Sequence, residues 1–128
     1  MQKLDLTVVN DFCNSEIGLT SPSPVWQTPT QTLKTRSGSE ADLAILKLFI
    51  LDSMIYRDLV VLTRVNDVVL ACGNTILTAT GIEEPGLFVL NRSSVYGRTN
   101  DIRFSKMLSR YRRNAQELEE FIDPLFKE

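Results

Sequence analysis

Residues 26–47 read W-Q-T-P-T-Q-T-L-K-T-R-S-G-S-E-A-D-L-A-I-L-K, and this stretch decides the fold. Thr28-Pro29 is a helix start, with a hydroxyl to cap and a proline at the first helical position. One or two turns fit before Arg36-Ser37-Gly38-Ser39 interrupts them. Ser37 and Glu40 have the spacing of a capping box and predict a second helix over 41–55. Leu43, Ala44, Ile45, Leu46, Leu48, Phe49, Ile50, Leu51 and Met54 cover nearly its whole circumference, the pattern of a buried helix. This segment is expected to be the central helix.

Outward from it, Leu6, Val9, Phe12, Cys13 and Ile17 recur at helical spacing, which predicts an amphipathic helix over 6–17. Ser21-Pro22-Ser23-Pro24 then breaks regular structure. Past the central helix, β-branched and apolar runs predict strands at 59–65, 68–71, 76–80 and 87–90. Turns are expected at Asn66-Asp67, Gly73-Asn74 and Glu83-Glu84-Pro85-Gly86, and connections this short favour antiparallel pairing. Ile102, Met107, Leu108, Tyr111, Ala115, Leu118, Ile122 and Leu125 predict a C-terminal amphipathic helix, or two joined near Asn114. Helices, then a sheet, then a helix define an α+β class, expected as a single domain over 1–128.

Composition narrows the chemistry. The chain of 128 residues has no histidine, so a Ser-His-Asp triad, a Cys-His pair and imidazole metal ligation are excluded. Cys13 and Cys72 are the only cysteines and form no C-x-x-C clip. Buried reduced thiols are favoured over a disulfide between them, because a core of this size needs no staple. No metal and no cofactor are expected. A formal net charge of -2 gives no general attraction to nucleic acid or acidic lipid. Lys3, Asp5 and Asp11 interrupt any signal-peptide core, and Lys47 interrupts the longest apolar run, 43–51. A cytoplasmic protein without a membrane segment is expected.

Residues 26–47 also resemble the core signature of the bacterial transglutaminase-like cysteine proteinases, a branch of the papain-like fold. That signature joins W-x-T-P-x-E-T-L to G-D-C-E-D-Y-A-I-A-K. Trp26, Thr28, Pro29, Thr32 and Leu33 match the first part, and Gly38, Asp42, Ala44, Ile45 and Lys47 the second, without a gap. Val9-Asn10 with Phe12 and Asn14 looks like the family's N-terminal helix, so the resemblance spans roughly residues 8–92. It implies a papain-like core: the buried helix on a small antiparallel sheet.

The resemblance also implies that the chemistry is lost. The nucleophilic cysteine position falls on Glu40. The histidine of the family's H-A-V-L strand corresponds to Asp67 in Asp67-Val68-Val69-Leu70, and the third position, in V-L-D-N, to Asn91. The acidic positions that hold calcium in adhesin-cleaving members fall on Ser39 and Ala41. No catalytic residue is expected, and Trp26, Ser39, Glu40, Asp67 and Asn91 are the expected cleft. Taken singly, Glu40 is a cap partner, Asp67 a turn residue, Asn91 a strand end and Trp26 a packing aromatic.

A pseudoenzyme that binds a protein or peptide partner through its former cleft follows from this reading. A basic segment, Arg92, Arg98, Arg103, Lys106, Arg110, Arg112 and Arg113, with Tyr96, Phe104 and Tyr111 interleaved, is a second candidate surface. Nucleic acid is the alternative partner for it and is disfavoured, since Glu117, Glu119 and Glu120 balance the charge. A divergent hydrolase using Cys72, Ser39 or a carboxylate is the remaining alternative, and no histidine is present to activate it.

Overall fold

Helix α3 (Glu40–Ser53) runs through the middle of the molecule, and the other elements are laid against it. The computed structural model describes residues 3–54, 56–64, 67–73, 75–83, 95–97 and 101–111. Before α3 come α1 (Lys3–Glu16), β1 (Gly18–Leu19), α2 (Pro29–Thr35) and β2 (Ser37–Gly38). After it come β3 (Leu59–Arg64), β4 (Val68–Cys72), β5 (Thr75–Thr78), β6 (Gly81–Glu83), β7 (Val95–Gly97) and α4 (Ile102–Tyr111). The class is α+β.

The all-round apolar character of α3 is matched by its burial: every residue from Ala41 to Leu48, with Ile50 and Leu51, is buried. It packs on α1 and α2 on one side and on β3 and β4 on the other. Each Leu or Ile so buried contributes about 1.5–3 kcal/mol, so the burial of α3 is a major source of core stability. One core joins Leu6 and Val9 of α1, Leu33 of α2, α3, the sheet, and Phe104 and Met107 of α4.

Two expectations about the start of α3 are corrected. The helix begins at Glu40, and the capping box is formed by Ser39 and Asp42 rather than Ser37 and Glu40. The cause lies in the preceding residues. Gly18 N–H donates to Arg36 O at 2.9 Å and Thr20 N–H to Gly38 O at 2.8 Å. These bonds draw Ser37-Gly38 into a short parallel pair with Gly18-Leu19. Ser37 is then strand, and the cap passes to Ser39. Arg36, at φ 56° and ψ 28°, closes α2 in the left-handed conformation and sends the chain into that pair.

The second sheet is antiparallel throughout, in the order β6-β5-β4-β3-β7. Val61 faces Leu70, and Leu70 faces Leu77 on the next strand. This row joins the core beneath α3, while Leu62, Val69, Ala71 and Ile76 form a separate buried cluster on the opposite face. Gly73, at φ 60°, makes the β4–β5 turn, where a left-handed residue is needed.

Four strands were not foreseen: β1 and β2, two residues each, β6, read as the edge of a turn, and β7, read as part of the basic segment. Strands this short carry too little alternation to be legible. The strand expected at 87–90, the Asn66 half of the first turn, and the tail beyond Tyr111 lie outside the described residues. Among the described residues, no helix is long and apolar enough to cross a membrane.

Candidate functional site

The site is built around the carboxylate of Asp42. Gln27 N–H donates to its Oδ1 at 2.8 Å and Ser39 N–H to its Oδ2 at 2.9 Å. One buried side chain thus caps α3 and ties down the strand of chain carrying Trp26. Thr28 caps α2, its hydroxyl accepting from Gln31 N–H at 3.2 Å. Thr32 Oγ1 lies 3.2 Å from Thr28 O and 3.0 Å from Gln27 Oε1. These bonds leave Trp26 only 2% exposed, with its ring as one wall of a cavity.

That cavity, about 200 Å³, brings together four of the five expected cleft residues: Trp26, Ser39, Glu40 and Asp67. The fifth, Asn91, lies outside the described residues. Glu40 arrives as the first residue of α3 and Asp67 as the residue before β4. The two positions are 27 apart in sequence but share one lining, because the β3–β4 hairpin returns across the head of α3.

Asp67 is fixed. Arg64, at the other foot of the hairpin, donates from Nε to Asp67 Oδ1 at 2.7 Å and from Nη2 to Oδ2 at 2.8 Å. The Arg64 backbone N–H also donates to Asp67 O at 2.8 Å. A second carboxylate, Glu83 on β6, lies 3.0 Å from Arg64 Nη1. Hydrogen bonds donated to Asp67 and Glu83 hold the Arg64 guanidinium well above its ordinary pKa. Glu40 differs. Burial raises its carboxyl above the usual range, and the Asp67 charge raises it further against the opposing pull of Arg64 and Lys47. Among the described residues no hydrogen bond or ion pair reaches Glu40.

Helix α4 closes one side. Its N-terminus is capped by Asp101, whose Oδ1 accepts from Arg103 N–H at 2.8 Å. Arg103 then folds over the Trp26 ring, its guanidinium carbon 4.5 Å from the ring centroid, a cation–π contact. Arg110, two turns on, donates from Nη2 to the Trp26 carbonyl. Of the seven basic residues read as one surface, Arg103 and Arg110 therefore turn to Trp26, and Lys106 is exposed. Arg92, Arg98, Arg112 and Arg113 lie outside the described residues. Sequence reasoning missed Arg64 as a site residue. Its signal was an arginine three residues before Asp67, a spacing that the antiparallel β3–β4 pairing makes adjacent.

Of the hydrolase candidates, Ser39 lines the cavity but its hydroxyl is used by the helix cap, and Cys72 lies elsewhere. Ser39 Oγ accepts from Asp42 N–H at 3.4 Å as the cap of α3. Cys72 ends β4, five residues beyond Asp67, and does not line the cavity. At a strand rise of ~3.3 Å per residue, that is roughly 16 Å away. Burial raises its thiol pKa, with Asp58 adding to the rise, the opposite of activation. Both cysteines are free. Cys13 is fully buried beside Lys47, and burial pushes its thiol up to about 12.

Lys47, read as an interruption of an apolar run, is 1% exposed. Its Nζ donates to Thr78 O at 3.1 Å, and burial pulls its pKa down to about 8. Asn14 Nδ2 donates to the same carbonyl at 3.0 Å, and Asn10 Nδ2 to Gly81 O at 3.1 Å. The asparagines of α1 and Lys47 thus pin the β5–β6 hairpin to the helices. No protein-family model matches this chain, and no curated protein matches it significantly.

Proposed function

We propose that the chain is a non-catalytic, transglutaminase-like domain with a papain-like core, and that it recognises a protein or peptide partner through the cavity at the head of α3. One observation carries this reading: Glu40 and Asp67, the positions that the resemblance assigns to the nucleophile and the histidine, line one cavity with Trp26. The chemistry of that cavity is poor for catalysis. Glu40 supplies no thiolate, and Asp67 is held in a two-point ion pair with Arg64 that ties up both its oxygens. What the cavity offers is an aromatic wall, a carboxylate and an open mouth, which suit recognition of a side chain.

The basic segment is a weaker basis for nucleic-acid binding, because Arg103 and Arg110 are engaged at Trp26. A cytoplasmic location belongs to the proposal and agrees with two free cysteines.

The test uses the single tryptophan as reporter. The full chain is titrated with pools of mixed-sequence peptides while Trp26 emission is followed, and the same samples are assayed for peptide cleavage. Saturable emission change without cleavage is expected. Cleavage of any pool, abolished by Cys72→Ser or Glu40→Gln, overturns the proposal.

A further inference from the structure

We propose that this cavity is a receptor for an arginine side chain of the partner, and that Arg103 is the occupant the chain carries in its place. The inference rests on the cavity being the partner site, as proposed above.

The Trp26 wall already accepts a guanidinium, since Arg103 lies over its ring at 4.5 Å. A planar, weakly hydrated cation is the side chain best suited to that surface. Arg103 does not complete the site, however. Its Nε and Nη2 are held by Asp101, at 3.0 Å and 2.7 Å, so these two donors point back to the start of its own helix. Glu40, on the same cavity, is left without a hydrogen bond or ion pair among the described residues. The other cation of the lining, Arg64, is matched by two carboxylates, Asp67 and Glu83. The charge still to be matched in the cavity is therefore one carboxylate, half-buried and kept from full solvation by its surroundings. A partner's arginine stacks on Trp26 and donates its paired N–H groups to Glu40, satisfying both at once.

Entry requires Arg103 to give up its stack on Trp26. Phe104 and Met107 anchor α4 in the core, whereas the Arg103 side chain is 37% exposed. The chain thus competes with its ligand, and removal of Arg103 is expected to raise affinity.

The experiment follows Trp26 emission in the full chain during titration with three capped tripeptides, Gly-Arg-Gly, Gly-Lys-Gly and Gly-citrulline-Gly. Proteins are the unaltered chain, Arg103→Ala, Arg103→Gln as a length-preserving second variant, and each combined with Glu40→Gln. The Arg103 variants are expected to bind the arginine peptide about tenfold more tightly than the unaltered chain, and adding Glu40→Gln is expected to remove about tenfold, the scale of one charged hydrogen bond. Citrulline, of the same shape without charge, should not bind. Equal affinity for citrulline or lysine, or no gain on removing Arg103, overturns the arginine assignment. If mixed peptides lacking arginine still bind with a Trp26 response, the partner-cleft reading survives that failure. If no peptide moves Trp26 emission in any protein, both fail.

Discussion

Gly38 packs against Asp42 with no room for a side chain: a methyl group at position 38 would stand 2.8 Å from Asp42 Cβ and 3.0 Å from its Oδ2. The glycine is there because the Asp42 carboxylate must reach back over the chain to Ser39 N–H and Gln27 N–H. Gly38→Ala is expected to destabilise by about 1–3 kcal/mol, the usual cost of overpacking. Chemical denaturation checks this, and a change below about 0.5 kcal/mol, the scale of a neutral surface substitution, would remove the steric account.

Asp42→Ala deletes the Asp42 half of the α3 capping box and strands the N–H groups of Ser39 and Gln27. The expected loss is about 2–4 kcal/mol, combining a cap with buried donors left unmatched. Because Gln27 adjoins Trp26, the emission of the single tryptophan should also shift to the red as its ring becomes wetter. Loss of stability with unchanged emission would mean that Asp42 does not hold the Trp26 segment.

Lys47 and Cys13 give opposite pH dependences. The lysine titrates near 8 in the folded chain and 10.5 when unfolded, so between these values the unfolded state holds more protons and stability rises with pH. The thiol titrates near 12 folded and 9.0 unfolded, so stability falls with pH over that range. Their sum rises from pH 8 to 9, is nearly level to 10.5, and then falls. Lys47→Met should be more stable than the unaltered chain at pH 7 by roughly 1–3 kcal/mol, since it removes a buried charge and Asn14 still serves Thr78 O. That gain should vanish near pH 10.5. A difference between the two proteins that does not change from pH 7 to 10.5 would show that Lys47 is not desolvated in the folded state.

Asp67→Asn removes one charge that raises Glu40 and frees Arg64, which lowers it. The Glu40 carboxyl should therefore titrate lower in the variant, followed by carbon-detected NMR of the side-chain carboxyl. An unchanged or higher value would separate Glu40 from Asp67 electrostatically and break up the proposed site.

The sequence carried the outline of this site because its residues act locally. Thr28-Pro29 is a cap and a first helical residue in any context, and the apolar run after Glu40 has one reading, a buried helix. Of the residues matched by resemblance, Trp26, Thr28, Thr32, Leu33, Asp42 and Lys47 are all buried. Their spacing records how α2, α3 and the Trp26 segment pack, whatever happens at position 40. The misplaced cap had a non-local cause: Ser37 was taken into a strand by Gly18, nineteen residues away. Arg103 and Arg110 look like the solvated face of a basic helix, and only the docking of α4 turns them to Trp26. Lys47 looked like a break in an apolar run, because a lysine's destination depends on an acceptor, Thr78 O, supplied by a strand 31 residues later.

The central proposal is that Glu40 and Asp67 occupy the two ends of a former thiol–imidazole pair. It is tested most directly by restoring the pair in a Cys72→Ser background and measuring the pKa of the introduced thiol from the pH dependence of alkylation. Glu40→Cys/Asp67→His is compared with Glu40→Cys/Asp67→Asn, so that loss of the aspartate charge is common to both. The thiol sits at the first residue of α3, where the helix dipole favours a thiolate, and an imidazolium across the cavity should stabilise it further. The account predicts a thiol pKa lower by about one unit or more with histidine than with asparagine, the size of a close opposite charge. Equal values in the two variants would place positions 40 and 67 too far apart to have formed a catalytic pair.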